Sequence, residues 1–143
     1  MKKILVLSII SLFLTMACSK KTIKPVSNES QTAQSVIETI YLLKTAYAQK
    51  DEAAMRRYTT DEGFSSNFKA SATDFSSADL SFTPKWVDIK ANTIQVQMSW
   101  TGKWVYHGNN IDENGVADFV VTGPPYRGDK ILKDNPFTVL TIK

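Results

Sequence analysis

Few residues in this chain are equipped for acid–base chemistry. His107 is its single histidine, the side chain whose ordinary pKa suits proton transfer near neutrality. It ends a run in which Ile94, Val96, Met98, Trp100, Trp104 and Tyr106 share one parity. Gln95, Gln97, Ser99, Thr101, Lys103 and His107 share the other. Period two makes this one long strand with a covered and a wet face, and it puts His107 on the wet one. A surface place is therefore expected for it rather than a catalytic one. The covered face offers only indole N–H groups and the Tyr106 hydroxyl. Asp88 and Asp118 lie in runs too short for parity to settle. With Tyr106, they are the candidates for an inward-facing acid or base.

Two other groupings bear on ligands. Asn110, Asp112 and Asn114, followed by Gly115 and Asp118, match positions one, three, five, six and nine of a calcium loop. Position twelve, which calls for a bidentate glutamate, is Val121. Polar residues around a hairpin glycine explain the segment as well, so no metal and no cofactor are expected. Trp86, Trp100 and Trp104 would make an aromatic ligand wall, although aromatics at strand spacing also simply fill cores. Gly123-Pro124-Pro125-Tyr126-Arg127-Gly128 reads either as a stiff contact loop or as a connector.

Composition removes whole classes. One cysteine excludes an internal disulfide framework and a multi-cysteine metal knuckle, and one histidine excludes a histidine-rich site. The net charge of +3 includes Lys2 and Lys3. Without them the chain is nearly balanced, unlike a basic nucleic-acid binder. Its 143 residues suit a single domain.

Lys2 and Lys3 precede an uncharged run from Ile4 to Ala17. That run is shorter than the roughly 20 helical residues a membrane span needs. A basic start, an apolar stretch of this size and a small residue at its end describe a secretory signal peptide, residues 1–17. The run closes Leu14-Thr15-Met16-Ala17-Cys18, which resembles the lipobox of bacterial lipoproteins. The resemblance implies cleavage after Ala17, lipid on the Cys18 sulfur and acylation of the new amine. Several acyl chains together give the stable anchoring that one does not. By the rule of that family, Ser19 in place of an aspartate sends the protein to the outer membrane where the host has two. Residues 18–29 are expected to form a tether. Its Lys20, Lys21 and Lys24 either lie against anionic headgroups or keep it solvated.

The remaining residues, 30–143, have to position these groups. Ser30 is placed to cap a helix carrying an apolar stripe of Ala33, Val36, Ile37, Ile40, Leu43 and Tyr47 and ending near Lys50. Asp51 opens a second, short helix through Tyr58. The segment 64–79 reads as a third short helix or as a loop pinned by Phe64, Phe68 and Phe75. Strands follow: Leu80–Ile89 interrupted by Pro84, which suits a sheet edge, and Ile94–Tyr106 with a bend or turn at Gly102. A hairpin is predicted at Asn114-Gly115, and a last strand over Phe137–Ile142. The sum is an α+β domain, with a long helix and one or two short ones packed on a curved antiparallel sheet of about four to five strands.

That order, with Tyr47-Ala48-Gln49-Lys50-Asp51 leading into Met55-Arg56-Arg57-Tyr58, resembles the nuclear transport factor 2-like (cystatin-like) superfamily. The resemblance implies a pocket between helix and sheet but no single activity, because that superfamily holds isomerases, dehydratases, transport factors and immunity proteins. The expectation is an envelope lipoprotein, with no catalysis, that binds a partner protein or an apolar small molecule. A small-molecule isomerase or hydrolase and a toxin-immunity or inhibitor lipoprotein are the alternatives.

Overall fold

The computed structural model describes residues 27–68 and 70–141. The expected signal peptide, Cys18 and most of the expected tether, residues 1–26, lie outside them. Helix α1 runs Asn28–Ala48. Its cap is Ser27, whose Oγ accepts from the Ser30 N–H at 3.2 Å, so the helix starts before the Ser30 expected from sequence. Asp51 caps α2, Glu52–Arg57, through the Ala54 N–H at 2.9 Å. Thr60 caps α3, Asp61–Asn67, and a 3-10 turn follows at Ala70–Thr73. The ambiguous segment is thus helix, 3-10 turn and the approach to a strand.

Four strands form an antiparallel meander in the order β1-β2-β3-β4: β1 Ser77–Lys90, β2 Thr93–Tyr106, β3 Asn109–Thr122 and β4 Arg127–Lys133. Pro84 falls on edge strand β1 beside a register shift between Pro84 and Trp86. There a missing N–H is tolerated and the strand bends.

Three strand expectations are corrected. The hairpin between β2 and β3 turns at His107-Gly108, where φ is 47° and 78°. Positive φ at both central positions matches the twist of paired strands. Asn114 and Gly115 sit mid-strand, opposite Thr101 and Trp100. Glycine stands there because a Cβ would lie 2.7 Å from the Asp134 Cβ and 2.9 Å from the Trp100 ring. Gly102 likewise marks no turn: a Cβ would meet the Trp104 indole. The last strand is β4 rather than Phe137–Ile142. Phe137 instead enters the core and Val139–Thr141 form a 3-10 turn.

Helix α1 lies across one face of the sheet. Val36, Ile40, Leu43, Ala46 and Tyr47 are buried against Ile94, Val96, Met98, Trp104, Phe119 and Val121. Its direction is fixed at three points. Tyr126 Oη donates to Thr32 Oγ1 at 3.5 Å, Tyr41 Oη to the Phe82 carbonyl at 3.3 Å, and Trp104 Nε1 to Tyr47 Oη at 3.1 Å. The first turn of α1 therefore neighbours the 123–126 loop, and its last turn points toward the His107 hairpin. The free edge of β4 is closed by α2 and α3. Thr60 N–H donates to the Gly128 carbonyl at 2.9 Å and Gly128 N–H to the Tyr58 carbonyl at 2.8 Å. Asn67 Oδ1 accepts from the Ile131 N–H at 2.9 Å.

Candidate functional site

The space between α1 and the sheet, where a pocket was expected, is filled. Tyr47 is fully buried; its Oη donates to the Ala72 carbonyl at 2.9 Å and accepts from Trp104 Nε1 at 3.1 Å. Burial pushes this phenol up to about 12, against a smaller opposing effect of the indole N–H. The rings of Phe137 and Phe75 lie 4.8 and 5.2 Å from it, centroid to centroid. Phe82 and Phe119 close the other side of Phe137. Trp100 and Trp104 meet edge-on at 6.3 Å and are both buried. They belong to the core. Trp86 does not join them: it pairs with Gln97 on the opposite face of the sheet and is 41% exposed. The bulge after Pro84 shifts strand parity and turns this indole outward.

Asp88 and Asp118 face away from that interior, and Tyr106 borders it from the end of β2. Asp88 lies on the outer face, exposed enough to pair with Lys90 at 2.7 Å across solvent. Tyr106 is half-buried at the far end of β2, edge-on to the His107 ring at 4.2 Å. His107 occupies the hairpin turn and faces Asp74 at 3.5 Å, both well exposed. Asp118 is also on the outer face, yet its side chain is only 6% exposed. It accepts from Gln97 Nε2 at 2.8 Å and from Lys133 Nζ at 2.7 Å. Burial would raise its pKa. The hydrogen bonds from Lys133 and Gln97, with the lysine charge, outweigh burial and hold it below the usual carboxylate value. This carboxylate is a fixed anion that ties β3 to the end of β4, and it has no proton to trade near neutrality.

The calcium-loop alternative loses its loop. Asn110, Asp112, Asn114 and Asp118 follow one another along β3. Alternate residues of a strand are nearly 7 Å apart, too far to converge on one ion. Among the described residues no group of three or more histidine, cysteine, aspartate and glutamate side chains is placed to hold a metal.

What the surface does offer is shallow grooves. One, of about 320 Å³, opens where the segment after β4 crosses the sheet. Trp100 lies at its base, with Glu113, Lys133, Asp134 and Asn135 around it. Trp100 Nε1 donates to the Asp134 carbonyl at 2.7 Å, and Asp134 Oδ2 accepts from the Val116 N–H at 3.1 Å. A second groove, of about 280 Å³, is bordered by Lys50 and Arg56, whose guanidinium stacks 3.8 Å from the centroid of the Phe64 ring. A third, of about 350 Å³, runs along the cross-strand row Asp79, Lys103, Asp112 near the hairpin. Each mixes charges of both signs with apolar stems and can meet a polar macromolecular surface. The one histidine borders none of the three.

Comparison with protein-family models, with curated proteins and with solved structures finds no match.

Sequence reasoning did not single out Lys133, Asp134 or Asn67. Lys133-Asp134-Asn135, at the end of β4 and just past it, is an ordinary loop composition. Asn67 sits in a serine-rich stretch that gives no hint of burial, yet its amide also donates to the Gly63 carbonyl at 2.7 Å. The available signal was negative. The covered face of β2 carries no carboxylate, lysine or histidine, only the Tyr106 hydroxyl at its end, which points away from chemistry in the interior.

Proposed function

We propose that this chain is a bacterial envelope lipoprotein, cleaved after Ala17 and lipidated on Cys18, whose domain acts by binding another envelope protein through its surface. We further place the domain with helix-on-curved-sheet folds of the nuclear transport factor 2-like kind. The support for surface binding is one observation. Tyr47, Trp104, Phe119 and Phe137 occupy the volume in which such a fold would enclose a substrate, and all four are essentially without exposure. A small apolar ligand would have to displace rings that already satisfy one another. A partner protein needs only the grooves at the surface. The support for anchoring is the Lys2-Lys3 start, the apolar run and the Ala17-Cys18 ending.

The test is a Cys18→Ala form expressed in the native host. It is expected to leave the membrane fraction for the soluble periplasmic or extracellular fraction, and photo-crosslinkers at Glu113 and Asp79 in the native form are expected to trap discrete protein-sized adducts. Retention of the variant in membranes would contradict the anchor. Adducts confined to nucleic acid or small molecules would contradict the partner.

A further inference from the structure

Strand β1 has one free edge, and its first half is open. In an antiparallel ladder, alternate residues turn both backbone groups toward the neighbouring strand and the others turn both away. Two contacts fix the phase here. The Thr83 carbonyl accepts from Ser99 Oγ of β2 at 3.5 Å, and the Phe82 carbonyl accepts from Tyr41 Oη of α1 at 3.3 Å. Thr83 thus faces β2 and Phe82 faces out, so Ala78 and Leu80 turn their N–H and C=O groups outward as well. Among the described residues no backbone bond reaches those groups from beyond the sheet. The opposite edge, on β4, is met by Tyr58 and Thr60 at Gly128. Pro84 and the register shift beside it blunt the β1 edge beyond Thr83. Ser77–Thr83 carries neither proline nor lysine nor a bulge.

Charge marks the same segment. Asp79, Lys103 and Asp112 stand side by side on the outer face, and the row ends with Asp79 on the free edge. Among the described residues none of the three is in an ion pair. The row is therefore acidic on balance and stops one strand short of its next cation. Lys44 and Lys50 are on the covered side of the sheet, each over a ring: Tyr41 at 5.5 Å and Phe75 at 4.8 Å.

We propose that the Ser77–Thr83 edge takes an extended segment of the partner protein as a fifth strand, with a lysine or arginine of that segment beside Asp79. This rests on the reading that the domain works by binding a protein through its surface. Main-chain bonds to Ala78 and Leu80 hold the segment, and side chains select it. Cross-strand neighbours of Asp79 point to its own face, so a cation there continues the alternation of charge and a carboxylate opposes it. The residues flanking that cation point to the helix side, where the Tyr41 ring beside Phe82 suits apolar side chains. A second copy of β1 supplies no such cation, because Ser77–Thr83 has none. The chain's own Lys20, Lys21 and Lys24 do not reach the site. Ser27 begins α1 at the end held to Tyr126, about 30 Å of helix away from Tyr47. Lys20 is seven residues before Ser27, about 25 Å at full extension.

The test adds short extended peptides to the full mature protein in mild detergent and follows amide hydrogen exchange. One peptide alternates valine with lysine, a second valine with glutamine, a third valine with glutamate. The lysine peptide is expected to slow exchange at Ala78 and Leu80 several-fold, the glutamine peptide less, and the glutamate peptide not at all. Asp79→Asn, at an exposed position, is expected to bring the lysine and glutamine peptides level. No slowing by the lysine peptide at millimolar concentration, or equal slowing by all three, would overturn the proposal. So would protection that grows with protein concentration in the absence of peptide, since the edge would then belong to a second copy. The photo-crosslinkers separate the causes. Protein adducts from Glu113 in the native host, with these β1 amides unprotected by peptide, overturn this proposal alone. Adducts confined to nucleic acid or small molecules overturn the binding of a protein and this proposal with it.

Discussion

Asp118 is the residue where burial and charge are most directly opposed. Its carboxylate is almost covered on the open side of the sheet, held by Gln97 and Lys133. The folded state therefore keeps it ionised to lower pH than the unfolded chain does. A depressed folded pKa contributes stability that is present above the unfolded value, about 3.9, and is lost as pH falls through the folded one. Asp118→Asn is expected to lower stability near pH 7 by about 1–3 kcal/mol, toward the lower end because Lys133 is half exposed. The gap between variant and native protein is expected to shrink below about pH 4, as the native carboxylate takes up its proton. Denaturant melts at several pH values measure this directly. A gap that stays constant down to pH 2 would mean that the ion pair adds nothing. Tyr47 shows the complementary case, a neutral group raised by burial and kept because both its donor and its acceptor capacity are used.

At the scale of elements, the period of the apolar residues carried most of the legible information. The stripe ending at Tyr47 located α1, Asp51 located the start of α2, and the alternation from Ile94 to Tyr106 located β2 almost to its ends. What failed were readings of local residue chemistry that distant packing overrides. Asn114-Gly115 is a strong turn signal taken alone. Here it lies in a strand because Asp134 and Trp100 need the space a side chain would take. Arg127–Lys133 shows little apolar alternation, and it pairs all the same through its backbone, with β3 on one side and, at Gly128, with Tyr58 and Thr60 between α2 and α3 on the other. The terminal Phe137-Thr138-Val139-Leu140 has strand composition, but it delivers Phe137 into the core as a plug. Phe137 stacks on Phe68 at 5.0 Å and touches Tyr47, Phe82 and Phe119. Phe137→Ala is expected to cost about 3–5 kcal/mol and to loosen the Tyr47–Trp104 pair. Thermal unfolding followed by tryptophan fluorescence would record both. A loss below 1 kcal/mol would mean that the C-terminal segment does not hold the interior closed.

The same packing decides how much of the candidate site could be read in advance. Period two assigned Trp100 and Trp104 to the covered face, but the bulge after Pro84 moved Trp86 to the other face; Pro84 marks the interruption in sequence but not the one-residue shift it brings. The grooves depend on where the segment after β4 crosses the sheet, a relation between residues far apart in the chain. Such relations are not written in local spacing.

For the molecule as a whole, no helix among the described residues is long and apolar enough to cross a membrane. In the function proposed for it, a filled domain with charged grooves takes its place from a lipid anchor and its specificity from its surface. The central claim is accordingly chemical and sits at Cys18. It is tested by the intact mass of the protein purified from native membranes in mild detergent. The expected mass is that of residues 18–143 bearing a diacylglyceryl group on sulfur, with an acyl chain on the new amine where the host adds one. A mass equal to the unmodified chain, whether starting at Met1 or at Cys18, would contradict it.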